Sequence, residues 1–482
     1  MRFKFRPVGV DVSVLTASTL LSFAVVQTAA FADAVWQPGT SLPVAKAQNF
    51  VVNFEGSIYS VGGAPWRNGG DEDGSVFHLG ATGWVEDMPL VGMGPTVDQV
   101  GGVDDLGRIL AFGGHVIPSG DIGSSRAYLP SKGTTEDLPA LVNYPFDYVA
   151  TAVDGQGRVY SIGGGYGPNG LNYGQVGRWI GSENRWENLA YLPYTRASVA
   201  AAYDGNGHIW SFGGYTSFGT WRIVDTSRYD IATNTWTNHG QAYLPIATAD
   251  GQAVLGANGL IYIIGGTTGS GAAGPVTSAV WIFDPTTITL SPGPALAMAR
   301  KDFGAALGSD KFIYVVGGLP ASGIATTSVE RLYTGVCAQS SGLPASVVVA
   351  QGATLTLQAS VSGDAPITLR WRRGGVDLAD GGRVAGSTAA TLSITGFTAS
   401  DQGEYVLVAS NPCGESTSTA VLVSLAVTTP ADLNHDGVVS AADLGLLLAA
   451  WGLKGNAADL NGDGVVGAAD LAELLAVWGP VG

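Results

Sequence analysis

The stretch Ile209-Trp210-Ser211-Phe212-Gly213-Gly214 is a short apolar run that ends in two glycines. The same pattern occurs six times along the chain, at intervals of 50 to 52 residues. The six copies end at Gly63, Gly114, Gly164, Gly214, Gly266 and Gly318. Because a fixed period of this length marks a repeat architecture, the sequence predicts six copies of one structural unit.

Each unit has the parts of a small four-stranded sheet. In the fourth copy, an apolar strand at 198–202 leads through the turn Asp204-Gly205-Asn206-Gly207 into the strand that ends in Gly-Gly. A variable loop, a third strand and a fourth strand follow; the fourth carries a Trp and precedes a Leu-Pro exit, as in Trp236 and Leu244-Pro245. Asp-Gly and Asn-Gly turns between apolar runs are strong hairpin signals.

These units resemble Kelch repeats over residues 35–335. The resemblance implies a mainly β fold with a six-bladed Kelch-type β-propeller. The sixth unit ends without a Trp strand, whereas Val35-Trp36-Gln37-Pro38 stands alone before the first unit. We expect this N-terminal segment to supply the outer strand of the last blade, which closes the ring and removes exposed strand edges.

The composition limits the classes of function. The 482 residues include 71 Gly and 12 Trp, 46% are hydrophobic, and only 13% are charged, which suits many short strands and tight turns. The net charge of −16 argues against a nucleic-acid partner, because binding phosphates needs a basic surface. It also argues against docking on anionic lipid.

The N-terminus has the features of an export signal at residues 1–34. Arg2, Lys4 and Arg6 precede an apolar stretch at 12–26, and Ala32-Asp33-Ala34 matches the small-x-small cleavage pattern. The alternative is a retained membrane anchor, for which the apolar run is short. We expect a secreted or cell-surface protein with no membrane span after signal cleavage.

Residues 336–427 show the landmarks of an immunoglobulin-like β-sandwich. Trp371 fits the buried Trp of strand C, and Asp401-Gln402-Gly403-Glu404-Tyr405 fits the tyrosine corner. The segment resembles immunoglobulin-like modules of bacterial surface proteins. Ala359 and Leu407 stand where the inter-sheet cysteines of that fold would lie, so apolar packing around Trp371 must hold the core.

The chain has two cysteines, Cys337 and Cys413. In an oxidising compartment they predict a disulfide that fixes the leading segment of the sandwich. Two free thiols are the alternative.

Residues 428–482 contain two copies of a calcium-loop pattern, 27 residues apart. Oxygen-bearing residues stand at the loop positions that ligate calcium, with Gly437 and Gly464 at the sharp turn. The predicted ligands are Asp432, Asn434, Asp436, the Val438 carbonyl, Ser440 and Asp443, then Asp459, Asn461, Asp463, the Val465 carbonyl and Asp470. We therefore expect two calcium ions. An Asx-rich turn repeat without metal is the alternative.

Each loop runs into an amphipathic helix, and the apolar stripes predict one buried face per helix. The stripes contain Leu444, Leu447, Leu448 and Trp451, then Leu471, Leu474, Leu475 and Trp478. Two loop–helix units without entering helices resemble a type I dockerin, a small α-helical module related to the EF-hand. The resemblance implies a cohesin-like or cell-surface partner, although the usual contact positions hold Ala441-Ala442 and Ala468-Ala469.

The repeat pattern brings the segments before each first strand and after each Gly-Gly to one mouth of the ring. These segments supply acidic, aromatic and basic residues that could bind a glycan or a protein. The candidate ligand-binding residues are Trp66, Asp98, Asp147, Tyr148, Tyr166, Arg196, Tyr215, Trp221 and Asp250. The alternative is that they are loop anchors and solvated charges.

No catalytic residue is predicted. The repeat region has no Cys and its histidines are scattered, which excludes a copper site of the galactose-oxidase type. The leading hypothesis is an extracellular binding or scaffold protein whose calcium module serves assembly or attachment. The alternative is a carbohydrate-active enzyme, either similar to sialic-acid epimerases or otherwise glycan-processing, with its site in the mouth.

Overall fold

The computed structural model describes residues 35–65, 74–87, 96–116, 120–121, 124–141, 147–165, 173–216, 221–269, 274–426 and 429–480. The predicted signal peptide, Trp66 and Tyr166 lie outside the described residues. Within the described part, the chain is mainly β and contains two short α-helices.

The repeat region forms six separate antiparallel sheets of four strands, numbered here in chain order. Sheet 1 contains Phe50–Phe54, Ser57–Val61, Val76–Gly80 and Gly83–Glu86; sheet 2 contains Val100–Val103, Ile109–Phe112, Ser125–Leu129 and Thr134–Leu138. Sheet 3 contains Ala150–Val153, Val159–Ile162, Val176–Ile180 and Arg185–Asn188; sheet 4 contains Ala200–Tyr203, His208–Phe212, Thr226–Asp230 and Thr235–Asn238. Sheet 5 contains Gln252–Leu255, Ile261–Ile264, Val280–Asp284 and Thr289–Pro292; sheet 6 contains Gly304–Leu307, Phe312–Val316, Val329–Tyr333 and Gln37–Pro38.

The first strand of each sheet contacts the first strand of the next, and the first strand of sheet 6 contacts that of sheet 1. Apolar side chains pack between successive sheets; Val51 of sheet 1, for example, shares a cluster with Phe312 and Val316 of sheet 6. The core is therefore distributed over the gaps between the sheets, and their first strands lie together at the centre.

The N-terminal segment completes sheet 6, as the sequence predicted. Gln37 pairs with Arg331, and Pro38 pairs with Glu330. The indole Nε1 of Trp36 also donates a hydrogen bond of 2.8 Å to the carbonyl oxygen of Pro294. Proline is tolerated here because this strand lies at the edge of its sheet.

The Gly-Gly signature has a steric cause. Gly213 has a φ of 61°, and a Cβ at this position would lie 2.2 Å from the carbonyl oxygen of Thr248, before sheet 5. At Gly317 of sheet 6, a Cβ would lie 2.3 Å from the carbonyl oxygen of Lys46, before sheet 1. Only glycine allows this approach of one sheet to the backbone of the next.

The sandwich region contains two main sheets. One contains Ser346–Val349, Val421–Leu425, Gly403–Asn411, Thr368–Arg373 and Val376–Asp377, with Gly414–Thr417 paired to the third of these; the other contains Leu355–Gln358, Thr391–Ile394 and Val384–Ala385. Two further strands, Gln339–Ser341 and Ser360–Ser362, pair with each other. Trp371 is fully buried, and the Tyr405 hydroxyl donates to the carbonyl oxygen of Asp401, as a tyrosine corner requires.

The predicted disulfide between Cys337 and Cys413 is confirmed. Beside it, the Tyr333 hydroxyl of sheet 6 donates a hydrogen bond of 3.2 Å to Asp364 of the sandwich region, and Lys311 forms an ion pair with the same carboxylate. These side-chain contacts hold the junction between sheet 6 and the sandwich, whereas the disulfide closes within the sandwich region.

The C-terminal region contains the helices α1, Ala441–Ala449, and α2, Ala468–Ala476, and the short strands Val438–Val439 and Gly479–Pro480, which pair. The predicted burial of the apolar stripes is wrong in part. Leu447 and Leu474 are fully buried, and Leu444 and Leu471 pack against the core. The exposed members are Leu448, Trp451, Leu475 and Trp478. Each helix spans nine residues and ends before its Trp, so the last stripe position falls outside the helix.

Candidate binding mouth and calcium loops

Six non-glycine residues with positive φ stand at the entrance to the first strands of the six sheets. They are Gln48, Asp98, Tyr148, Ser198, Asp250 and Asp302, with φ between 51° and 60°. The Ser198 N–H donates to the Tyr148 carbonyl at 2.8 Å, and the Gln48 N–H donates to the Asp302 carbonyl at 2.7 Å. These hydrogen bonds between neighbouring sheets offset the cost of the left-handed conformation, about 1 kcal/mol or more per residue.

These six residues line a cavity of about 140 Å³ between the first strands. We call the cavity and the six residues the mouth. Asn49 and Gln99, which follow two of the six, also line it. A second cavity of about 410 Å³ lies among the first strands and is lined mainly by apolar residues such as Val52, Ala202 and Val254. The mouth is thus the polar end of the space between the sheets.

A hydrogen-bonded network surrounds Asp250. Its Oδ2 accepts from the Tyr215 hydroxyl and from the Thr267 hydroxyl, each at 2.6 Å. Behind these groups, Arg222 donates from Nη2 to the Tyr215 oxygen at 2.8 Å and from Nε to Thr267 at 2.9 Å. Burial, followed by the charge of Asp250, raises the pKa of Tyr215. The phenol therefore stays protonated and acts as a hydrogen-bond donor.

The structure brings Asp98, Tyr148 and Asp250 to the mouth, with Tyr215 bonded to Asp250. Asp147 is buried beside them and accepts the Tyr148 N–H at 3.1 Å. Trp221 is exposed in the connection between the second and third strands of sheet 4.

The structure does not bring Arg196 to the mouth, because the Arg196 side chain is fully buried. Its Nη1 donates to the carbonyl oxygens of Gly213 and Asp225 at 3.1 and 3.4 Å, and its Nη2 donates to Ser211 and Ser227 at 3.1 and 3.0 Å. Burial lowers the pKa of Arg196 to about 10. The guanidinium holds strand ends together inside the protein and does not face a ligand.

Sequence reasoning missed Gln48, Ser198, Arg222 and Thr267. The repeat period could have found Gln48 and Ser198, because they stand 50 residues before Asp98 and 52 residues before Asp250. Arg222 and Thr267 lie in variable connections, where the sequence carries no equivalent signal.

The first calcium loop gathers three of its predicted ligands. Carboxylate oxygens of Asp432, Asp436 and Asp443 lie within 4.8 Å of one another. Asp443 is fully buried and accepts the N–H groups of Asn434 and Ser440 at 3.0 and 2.9 Å. Although burial acts to raise the pKa of Asp443, these backbone hydrogen bonds leave it lowered, so the carboxylate is ionised.

The second loop is wound in the same way. Asp459 accepts the Gly464 N–H at 2.8 Å, and Asp470 accepts the Asn461 and Gly467 N–H groups at 3.1 and 2.6 Å. The Oδ1 atom of Asp459 is buried without a hydrogen-bond partner. A buried carboxylate oxygen needs a partner, and a cation would supply one. The donor sets of both loops fit calcium, which prefers several hard oxygen ligands.

Comparison with protein families identifies three segments. A Kelch motif matches residues 251–287, an immunoglobulin I-set domain matches residues 339–423, and a dockerin type I domain matches residues 430–476. A comparison with curated proteins finds no match. Among the described residues, no helix has the length and apolarity that a membrane crossing needs.

Type I dockerins generally bind calcium and bind cohesins, which agrees with the acidic cluster in the first loop. Together with the disulfide, the Kelch, I-set and dockerin matches indicate an extracellular binding or scaffold protein. The chain carries a Kelch motif, an immunoglobulin I-set domain and a type I dockerin domain, in that order.

Proposed function

We propose that this chain is a secreted or cell-surface binding protein in which a six-bladed propeller recognises a glycan or protein ligand. The propeller would span 35–335, after removal of a signal peptide at 1–34. The cycle of first-strand contacts and the pairing of Gln37–Pro38 with sheet 6 support the ring.

The observation that carries the proposal is the mouth. It gathers Asp98, Asp250 and Asp302 around one polar cavity between the first strands of the six sheets. Concave sites with a few convergent polar groups are the usual binding sites of such folds. Because Tyr215 is held as a donor towards Asp250, the network orients hydrogen-bonding groups beside the mouth.

The sandwich at 336–427 would act as a spacer, and the module at 428–482 would bind two calcium ions for assembly or attachment. The unpaired Oδ1 of Asp459 and the clustered carboxylates of the first loop support the two ions. A cohesin-like or cell-surface protein would dock on this module. Alanines at 441–442 and 468–469 leave apolar side chains such as Leu448 and Leu475 as the exposed contact groups.

The Tyr215, Asp250 and Arg222 network also favours a second candidate, a carbohydrate-active enzyme with its site in the mouth. Turnover would require one of these groups to exchange a proton with substrate. Binding and turnover can be separated in one experiment.

The test uses the full chain with calcium, mixed with polysaccharide fragments and followed by proton NMR for saturation transfer and product signals. Transfer that is lost in Asp98→Asn and kept in Glu55→Gln is the expected result, since Glu55 is an exposed turn residue between the first two strands of sheet 1. Product signals that vanish in Tyr215→Phe would establish the enzyme instead. Transfer that survives Asp98→Asn unchanged would move the site away from the mouth.

A further inference from the structure

Four connections between sheets each expose one apolar side chain at the same position. They run from sheet 6 to sheet 1, from sheet 3 to sheet 4, from sheet 4 to sheet 5 and from sheet 5 to sheet 6. In each, a buried Leu is followed two residues later by a large apolar residue that is 37% to 51% exposed. These residues are Val44, Tyr194, Ile246 and Met298. Each stands four residues before a residue that lines the mouth, so the four lie at the mouth end of the sheets.

Two further apolar side chains stand at this end, in connections that follow Gly-Gly. Trp221 of sheet 4 is 65% exposed, and Ile324 of sheet 6 is 64% exposed. β-bridges join these two connections to the segments that carry Tyr194 and Val44; the bridged pairs are Ala197 with Tyr215 and Lys46 with Thr326. We call the six exposed residues the apolar arc: Val44, Tyr194, Trp221, Ile246, Met298 and Ile324.

The four stretches between sheets, all within the described residues, expose no charged side chain. They are 39–47, 189–197, 240–249 and 293–300. Their charged residues are Lys46, Arg196 and Arg300, and each is at most 3% exposed. The chain as a whole has a net charge of −16, so this lack of exposed charge is local. Exposed Tyr, Trp and Met side chains without charged neighbours are typical of the centre of a protein–protein interface.

The opposite end of the six sheets is polar. The turns between first and second strands expose Leu106 and five polar or charged residues, which are Glu55, Asp105, Gln156, Asn206 and Asp310. The sandwich joins at this end, because Lys311, which pairs with Asp364, follows the first strand of sheet 6, whereas the mouth residue Asp302 precedes it. The arc thus stays exposed in the presence of the sandwich and the C-terminal module.

Several partners fit the arc poorly. Docking on anionic lipid needs exposed basic residues, which the four stretches lack. Sugar rings stack on flat aromatic faces, whereas Val44, Ile246 and Met298 offer none. A second copy of the chain would bring two net charges of −16 together, and these repel.

Charge complementarity defines the partner that remains. A charged group pressed against the arc would lose its hydration without gaining a counter-charge, so it would weaken binding. An apolar surface loses no such hydration, and the burial of side chains such as Trp221 and Ile324 favours its association.

We propose that the apolar arc docks a folded protein through an uncharged, apolar contact surface. The inference rests on the proposed binding function of the propeller and assigns the class of its ligand. The docked protein covers the mouth end of the sheets, and the sandwich continues the chain from the opposite end.

The test selects binders from a displayed library of a small folded scaffold with randomised surface positions. The full chain with calcium is the bait, and each enriched binder is titrated against Ile246→Asp and Leu106→Asp. Both variants replace an exposed apolar residue with the same charge, one in the arc and one at the opposite end. We expect most binders to lose at least roughly tenfold in affinity for Ile246→Asp and less than about twofold for Leu106→Asp.

A second arc variant and the salt dependence sharpen the test. Tyr194→Asp, in a neighbouring connection, should give the same loss, and both arc variants should keep the unfolding temperature of the unmodified chain because these side chains are exposed. Binding through an uncharged contact should change less than about threefold between about 50 and about 500 mM salt. Binders that keep their affinity for both arc variants, or lose it in high salt, would overturn the inference.

Two further measurements address the other occupants. Sedimentation velocity of the chain alone and flotation with phosphatidylcholine vesicles are expected to show a monomer that does not bind the vesicles. Self-association or flotation that Ile246→Asp abolishes would overturn the inference and assign the arc to a second copy or to a lipid surface. Saccharide binding that Ile246→Asp leaves unchanged, with protein binders that avoid the arc, would reject a protein partner and keep the propeller as a binding domain.

Discussion

Arg196 and the first calcium loop bury charge in opposite ways. The Arg196 guanidinium is a cation whose four hydrogen-bond acceptors come from its own chain. In the first calcium loop, carboxylate oxygens of Asp432, Asp436 and Asp443 lie within 4.8 Å of one another. Arg196 therefore finds its hydrogen-bond partners within the chain, whereas we expect the C-terminal module to take its cation from solution.

The difference leads us to expect that folding of the C-terminal module depends on calcium. Clustered carboxylates repel one another until a cation binds, so calcium binding and folding of the module should be coupled. The small core around Leu447 and Leu474 offers little to compensate. We expect no such dependence for the six sheets, because apolar clusters fill every gap between them.

Calcium removal should have the largest effect. With calcium at a thousand times its dissociation constant, each site stabilises the module by about 4 kcal/mol, and a chelator such as EGTA removes this. Hydrogen exchange should then rise through α1 and α2 while the strands of the six sheets keep their protection. Excess calcium should restore the module, and an unchanged exchange pattern in the chelator would contradict the coupling.

Replacing Arg196 tests the other half of the comparison. Arg196→Met fills the space but leaves two serines and two carbonyls without their donor, which should lower the free energy of unfolding of the repeat region by roughly 3 kcal/mol. Chemical denaturation in calcium measures the loss. Arg185→Met is the matched control, because Arg185 is exposed beside Glu183 and such pairs contribute about 0–1 kcal/mol. Equal losses in the two variants would refute the structural role of Arg196.

The repeat region and the C-terminal module differ in how much of each could be predicted from sequence. The Gly-Gly period predicted the six units, because glycine is required where Gly213 and Gly317 approach the next sheet. The missing Trp strand of the sixth unit predicted the closing segment. The acidic cluster of the first loop could be predicted because loop spacing is set by local geometry. The burial of the Arg196 side chain could not be predicted, because the sequence around a basic residue near a strand entrance is the same whether that residue is exposed or buried.

The mouth shows a second limit of sequence reasoning. Asp98 and Asp250 belong to types that tolerate positive φ, but Gln48 and Tyr148 do not, so residue type gave no sign of their conformation. The hydrogen bonds between neighbouring sheets impose it. Similarly, apolar spacing placed Trp451 on a helix stripe, although α1 ends at Ala449.

Tyr215→Phe should have an intermediate effect. It removes one donor to Asp250 and one acceptor for Arg222, which should destabilise the repeat region by about 1–2 kcal/mol. Thermal unfolding in calcium measures the change. Tyr191→Phe is the control, because Tyr191 is exposed and should be neutral. If Tyr215→Phe leaves the thermal stability unchanged, water must replace the phenol hydroxyl in the network.

The smallest effect on stability is expected in the sandwich, where Asp401 and Arg383 form a partly exposed ion pair. Hydrogen bonding to Arg383 lowers the pKa of Asp401 to about 2, against an ordinary value of 3.8. The stabilisation is present above about pH 4 and is lost as the pH falls towards 2, and solvent screening reduces it to about 1 kcal/mol. Urea denaturation between pH 5 and pH 2, followed by hydrogen exchange in Gly403–Asn411, measures it. Arg383→Met should flatten this dependence; an unchanged slope would exclude the pair as its cause.

The pairing of Gln37–Pro38 with Val329–Tyr333 has a consequence for the order of events during synthesis. The strand that completes sheet 6 is among the first parts of the repeat region to leave the ribosome, and its partner is the last. Until that partner emerges, the early segment has no ladder to join and the growing array keeps an open end. An interrupted chain is therefore exposed to pairing with other chains. Once sheet 6 is complete, its outermost strand comes from the chain's own beginning, and neither end of the repeat region can peel away without breaking that sheet.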